Sequence, residues 1–187
     1  MSKKEGRLIV ISAPSGCGKG TVIKRLLELN PNICYSVSAT TRAPRAGEID
    51  GVSYHFISRD SFLKMIEDNE LLEYAEYVNE YYGTPKQFIT DCISNGKDVI
   101  LEIEVLGAKQ IMDKVPDAIS FFLVPPSMEI LERRLRGRGT DSEEKIKERL
   151  IKAESELKEK EHYAHIVVSD EVDRTADEIL SIIEMRE

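Results

Sequence analysis

The chain has 187 residues, with 26 Lys and Arg against 34 Asp and Glu and 41% hydrophobic residues, the make-up of one globular domain with enough apolar side chains for a core. A formal net charge of -8 excludes a general electrostatic grip on nucleic acid, which rests on many cationic contacts; any polyanion site must be a local exception. No apolar run approaches the roughly 20 residues of a membrane-spanning helix, the run in MSKKEGRLIVIS is too short for a secretory leader, and Cys17, Cys34 and Cys92 are odd in number without metal-ligand spacing, so a cytoplasmic protein in a reducing compartment is expected.

Arg7 to Ser12 is a continuous apolar run of the kind a strand buried on both faces carries. A helix is expected from about Lys19 to Leu29. Between them stands Ala13-Pro14-Ser15-Gly16-Cys17-Gly18-Lys19-Gly20-Thr21, a P-loop in context that departs from the usual pattern at Ala13 and at Gly20. Gly16 and Gly18 let the backbone turn its N–H groups toward a polyphosphate, the helix start adds partial positive charge, and Lys19 reaches the outer phosphates. The hydroxyl that normally holds Mg²⁺ is missing at position 20, so Thr21 or water takes that place. Cys17 reads as a small space-filler rather than a nucleophile, since phosphoryl transfer needs no covalent intermediate.

From residue 38 to 84 the pattern changes to short polar strands rich in hydroxyls and tyrosines, with one helix at about Asp60 to Asp68, and reads as an inserted subdomain. Within it Arg42 and Arg45, surrounded by hydroxyls and followed by Tyr54, can converge on one dianionic phosphate; a solvated turn accounts equally for that pattern taken alone. Pro85 near the start and Gly96 past the end bound a helix. Strands follow at Asp98 to Ile103 and Ala118 to Val124, then a helix opened by Ser127 after Pro125-Pro126, and a later strand at His165 to Ser169. This alternation predicts an α/β fold with a mainly parallel sheet flanked by helices. Residues 137–160 begin with Gly-Arg-Gly-Thr and continue as a highly charged helix whose Ile146, Leu150 and Leu157 allow only a narrow buried stripe, as in a mobile lid.

The P-loop, the 36–56 segment, Glu73 with Tyr81-Tyr82-Gly83-Thr84, Leu101-Glu102-Ile103-Glu104-Val105-Leu106-Gly107, and Arg134 to Thr140 follow one another in the order seen in guanylate kinases. The chain resembles that family over nearly its whole length. The resemblance implies a P-loop kinase fold with core 1–37, 85–136 and 161–187, a GMP-binding insertion 38–84 and a lid 137–160. It implies ATP and Mg²⁺ at residues 13–21, with Glu102 and Thr21 as candidates for the metal. It implies Arg42, Arg45, Tyr54 and Tyr82 on the GMP phosphate, and Ser38, Glu73, Thr84 and Glu104 on the guanine. Guanine offers N1–H and N2–H to a carboxylate, whereas adenine presents an acceptor there. Glu104 and Leu106 depart from the usual Asp and Gln, and Ser169 from the usual Asn. Lys19, Arg134, Arg138 and Arg149 are the implied catalytic cations, with Arg133 and Arg136 as surface charges; His55, His162 and His165 read as ordinary side chains. The expected partners are ATP and GMP, with no nucleic acid and no membrane. A kinase for another nucleoside monophosphate and a protein-binding module without catalysis are the competing readings.

Overall fold

The computed structural model describes residues 5–137, 139 and 141–185. In chain order the elements are β1 (Leu8–Ser12), α1 (Lys19–Leu29), β2 (Ile33–Ser36), β3 (Ala39–Thr40), β4 (His55–Phe56), α2 (Arg59–Glu67), β5 (Leu71–Tyr77) and β6 (Glu80–Pro85). They continue as α3 (Lys86–Ser94), β7 (Asp98–Glu102), α4 (Val105–Lys114), β8 (Ile119–Val124), α5 (Met128–Arg136), α6 (Glu143–Leu157), a 3-10 turn at Lys158–His162, β9 (His165–Val168) and α7 (Val172–Glu184). The strands lie in a five-stranded sheet of order β2-β7-β1-β8-β9 and a four-stranded sheet of order β4-β3-β6-β5. In the first, β2 with β7, β1 with β8 and β8 with β9 run parallel; in the second, β6 runs antiparallel to both β3 and β5. The expected mainly parallel sheet flanked by helices is the fold.

The chain divides into two compact units, one made of residues up to Leu8, Asn32–Leu101 and Leu106–Ala118, the other of Ile9–Pro31, Glu102–Val105 and the chain from Ile119 onward. Every residue of β1 is buried, which is why its sequence is an unbroken apolar run rather than an alternation. Helix α5 starts where Ser127 accepts a hydrogen bond from the Ile130 amide, the capping arrangement expected from Ser after Pro-Pro. In α6 the buried positions are Ile146 and Ala153, while Leu150 and Leu157 are only half-buried, so the stripe is narrower than three large apolar residues suggest.

In the first unit β7 begins where the Arg7 amide and guanidinium both donate to Asp98, at 2.8 and 2.7 Å; side-chain pairing replaces the ladder there and β1 starts one residue later than the apolar run. Strand β2 was not among the expected core strands, because Ile-Cys-Tyr-Ser is short and only Ile33 and Ser36 are buried. The four-stranded sheet packs Ala39, Phe62 and Leu71 with Tyr81, Phe62 and Tyr81 stacking at 5.3 Å. The two residues between β5 and β6, Val78 and Asn79, both have positive φ, 52° and 62°. That is the mirror-image turn whose twist suits a two-residue hairpin. Among the described residues no helix is long and apolar enough to cross a membrane.

Candidate active site

The phosphate loop is built by its glycines and by what packs beneath them. Gly16 and Gly18 have φ of 97° and 82°, a left-handed backbone that side chains resist. A Cβ on Gly16 would lie 2.8 Å from Leu135 and 3.0 Å from Leu131, so α5 supports the loop directly. Helix α1 begins at Lys19 with no side-chain cap and no acidic residue in its first turn, which leaves its first N–H groups for an incoming anion. The buried Ser169 hydroxyl donates to the Cys17 carbonyl at 2.7 Å; the residue that departs from the family's Asn thus holds the loop. Cys17 is fully buried and its thiol is pushed up to about 12 by burial, which removes it as a nucleophile.

A cavity of about 450 Å³ opens over this loop, lined by Ala13 to Gly16, Gly18 to Thr21, Glu102, Glu104, Lys152 and Glu156. Lys19 Nζ donates to the Ile103 carbonyl at 3.2 Å, an oxygen that also accepts from Ser12 at 2.9 Å. Burial lowers the Lys19 ammonium from its ordinary range, while Glu102, Glu104 and Glu156 oppose that shift. At Gly20 a Cβ would meet the Glu102 carboxylate oxygens at 3.7 and 3.9 Å, ordinary contact distances. The place vacated by the missing hydroxyl is therefore beside a carboxylate at the end of β7. With the Thr21 hydroxyl this gives hard oxygen donors of the kind Mg²⁺ takes, directly or through water. Glu104 stands at this cavity, paired with Lys152 at 3.4 Å.

Arg134 donates to the Asp170 carbonyl at 2.9 Å and acts electrostatically on Cys17, which brings it to the loop. Arg149 is ion-paired with Asp141 at the root of α6. Arg136 is held by Glu132 and Glu143, a surface network in keeping with its reading as a surface charge. Arg138 lies outside the described residues.

In the other unit, Arg42 places its two terminal nitrogens on the two carboxylate oxygens of Glu48, each at 2.9 Å. Its guanidinium lies 5.4 Å from the Tyr54 ring centre, Tyr82 interacts with it electrostatically, and the Tyr54 and Tyr82 rings meet edge-on at 6.1 Å. Three of the four expected phosphate groups thus come together; Arg45 is exposed, its backbone amide donating to Glu48. Glu48 was missed by the sequence reading, and its i+6 spacing from Arg42 on a loop is no periodic signal. Glu73 is 5% exposed, accepts from the Thr84 hydroxyl at 2.6 Å, and has its carboxyl pushed up by burial. Ser38 is half-buried just before β3.

A family model described as Guanylate kinase matches residues 5–186. The chain is 51% identical to a guanylate kinase of Halalkalibacterium halodurans, covering 98% of this chain and 90% of that protein, and 49% identical to one of Synechocystis, covering 96% and 94%. The crystal structure of guanylate kinase from Anaplasma phagocytophilum superposes with a TM-score of 0.79 at 34% identity, covering 98% of this chain and 87% of that one. A shikimate kinase from Bacteroides thetaiotaomicron shares the fold alone, at a TM-score of 0.50 and 13% identity. A phosphate loop, a second unit that gathers Arg42, Tyr54 and Tyr82, and identity near one half over almost the entire length agree, and the chain belongs to the guanylate kinase family.

Proposed function

We propose that this chain performs the guanylate kinase reaction with ATP over the 13–21 loop and GMP against Arg42, Arg45, Tyr54, Tyr82, Ser38, Glu73, Thr84 and Glu104. The chain is an ATP:GMP phosphotransferase of guanine nucleotide metabolism. A GMP phosphate oxygen attacks the γ-phosphorus in line, the new P–O bond forms as the bond to the ADP oxygen breaks, and GDP and ADP result. No side chain needs to act as a base, because the acceptor phosphate is ionised at neutral pH. The chain's work is positioning and charge neutralisation. Lys19 would leave the Ile103 carbonyl for the outer phosphates, the first N–H groups of α1 would cradle them, and Arg134, Arg138 and Arg149 would neutralise the charge that develops on transfer.

Mg²⁺ bound with ATP supplies further neutralisation of the phosphate oxygens, and Thr21 and Glu102 are the residues of this chain that would hold it. The unit of residues 38–84 is the proposed acceptor-binding insertion and 137–160 the proposed lid, on a core of 1–37, 85–136 and 161–187. The cytoplasm is the proposed compartment, a reading supported by Cys17, Cys34 and Cys92 all being free thiols.

Glu73 carries the base assignment. A carboxylate buried at the cost of desolvation, with a hydroxyl beside it, is justified by a ligand that brings two donors. The test is ADP release with GMP, AMP, UMP and CMP as acceptors: GMP should lead AMP by roughly 10⁴-fold in kcat/KM, as for sites that read hydrogen bonds. Comparable rates with another monophosphate would replace the guanine reading, and no turnover with any of them would favour a binding module.

A further inference from the structure

The cavity over the phosphate loop has an anomaly for a triphosphate site: among the described residues its charged lining is three carboxylates, Glu102, Glu104 and Glu156, against two ammonium groups, Lys19 and Lys152. Glu156 is the most unusual of them. It sits on the last turn of α6 with its side chain only 14% exposed. One oxygen, Oε1, is 3.4 Å from Lys152 Nζ; the other, Oε2, is buried and has no hydrogen-bond partner among the described residues. Lys152 is shared, lying also 3.4 Å from Glu104. Glu156 lines the cavity over the loop and its Oε2 is buried, so the carboxylate faces the loop rather than solvent.

A buried acceptor without a donor is costly, and a donor or a cation that arrives beside it recovers that cost. A metal-free triphosphate brings neither: it adds acceptors and negative charge next to an orphaned carboxylate oxygen. A triphosphate carrying a hydrated divalent cation brings positive charge and water protons together. Resting on the reading that this cavity holds the ATP phosphates, we propose that Glu156 is a specificity-determining residue that makes the cavity reject metal-free nucleoside triphosphate and accept the metal complex. Lys152 tunes it, by sharing one ammonium between Glu156 and Glu104. The charged groups facing Glu156 are Lys152, Lys19 and Glu104, and no other described residue donates to Oε2.

The test is calorimetric titration of the full chain with ATP, in excess Mg²⁺ and in excess chelator, so that binding is read rather than turnover. Glu156→Gln should tighten binding of metal-free ATP by about tenfold, the scale of removing one nearby like charge at a partly screened site, with less than about a twofold change for the metal complex. The preference for the complex therefore collapses. Lys152→Ala, which leaves the Glu156 charge less compensated, should move that preference the other way. A residue that only steadied α6 would change the melting temperature and leave the ratio of the two affinities alone. An unchanged ratio in both variants overturns the inference. Lys19→Ala separates it from the reading beneath: if Lys19→Ala weakens both forms of ATP while the Glu156→Gln ratio stays fixed, only the role of Glu156 fails, whereas indifference of both forms to Lys19 removes ATP from this cavity.

Discussion

Lys19 in the free chain spends its ammonium on the Ile103 carbonyl, a neutral acceptor that a phosphate readily outbids, and burial already weakens its hold on its proton. Replacing it by Ala should cut kcat by about 10²-fold or more in a coupled ADP-release assay, since transition-state neutralisation is lost along with ATP binding; near-normal turnover would remove the loop assignment. Glu73 poses a different trade. Burial raises its carboxyl in the folded chain, so its favourable contribution to stability is complete below the unfolded-state value and is lost as pH rises through the folded one. Deprotonation of the buried group therefore opposes folding. Glu73→Gln should raise stability at pH 7 by about 1 kcal/mol, a melting shift of roughly 2–4 °C, with the gain shrinking at pH 4, while most of the GMP over AMP preference in kcat/KM disappears. Parallel melts and two-substrate kinetics check both halves. Gly16, Gly18 and Lys19 were legible in the sequence because their spacing is tied to a strand on one side and a helix on the other. Glu156 was not: in SEEKIKERLIKAESELKEKE nothing in the residue types marks the one carboxylate that turns inward, and Glu48 is equally unmarked until the loop folds it onto Arg42.

At the level of elements, local chemistry explains most boundaries. Ser127 and Ser142 accept amides of their first turns, Pro85 precedes α3, and Gly96 follows it at φ 78°; such caps are readable from residue type alone. The four-stranded sheet was legible only as a change of pattern, because β3 and β4 have two residues each and are fixed by pairing rather than by periodicity. The hairpin between β5 and β6 carries a local conflict: Val78, a β-branched residue that is 74% exposed, occupies a left-handed position that costs an L-residue roughly 1–2 kcal/mol. Val78→Asn should relieve part of this and raise stability by about 1 kcal/mol, seen as a higher melting temperature with unchanged kinetics. A lower melting temperature would mean that the valine side chain contributes packing that its exposure conceals.

Taken as a whole molecule, a phosphotransferase must keep water away from the γ-phosphate, and the charged segment 137–160 is the proposed means. Gly137 caps the end of α5, and Gly139 has a left-handed φ of 64° with nothing within 4 Å of where a Cβ would stand. Arg138→Ala should reduce kcat far more than it weakens GMP binding, because a lid arginine meets the phosphates only after closure. Loss of GMP affinity with turnover preserved at saturation would assign Arg138 to the other nucleotide. The architecture was legible from the alternation of buried strands and helices, whereas the division into two units follows from contacts far apart in the chain that no local pattern reveals. One of those contacts reaches beyond the mature enzyme. The hydroxyl that holds the phosphate loop belongs to Ser169, 152 positions after Cys17, and Arg25 on α1 pairs with Asp173 across 148 positions. A nascent chain emerging from the ribosome therefore carries its loop glycines long before it has the residues that set them. ATP, which would stabilise the folded form by binding to it, is no help to the growing polypeptide until Ser169 and Asp173 have been made.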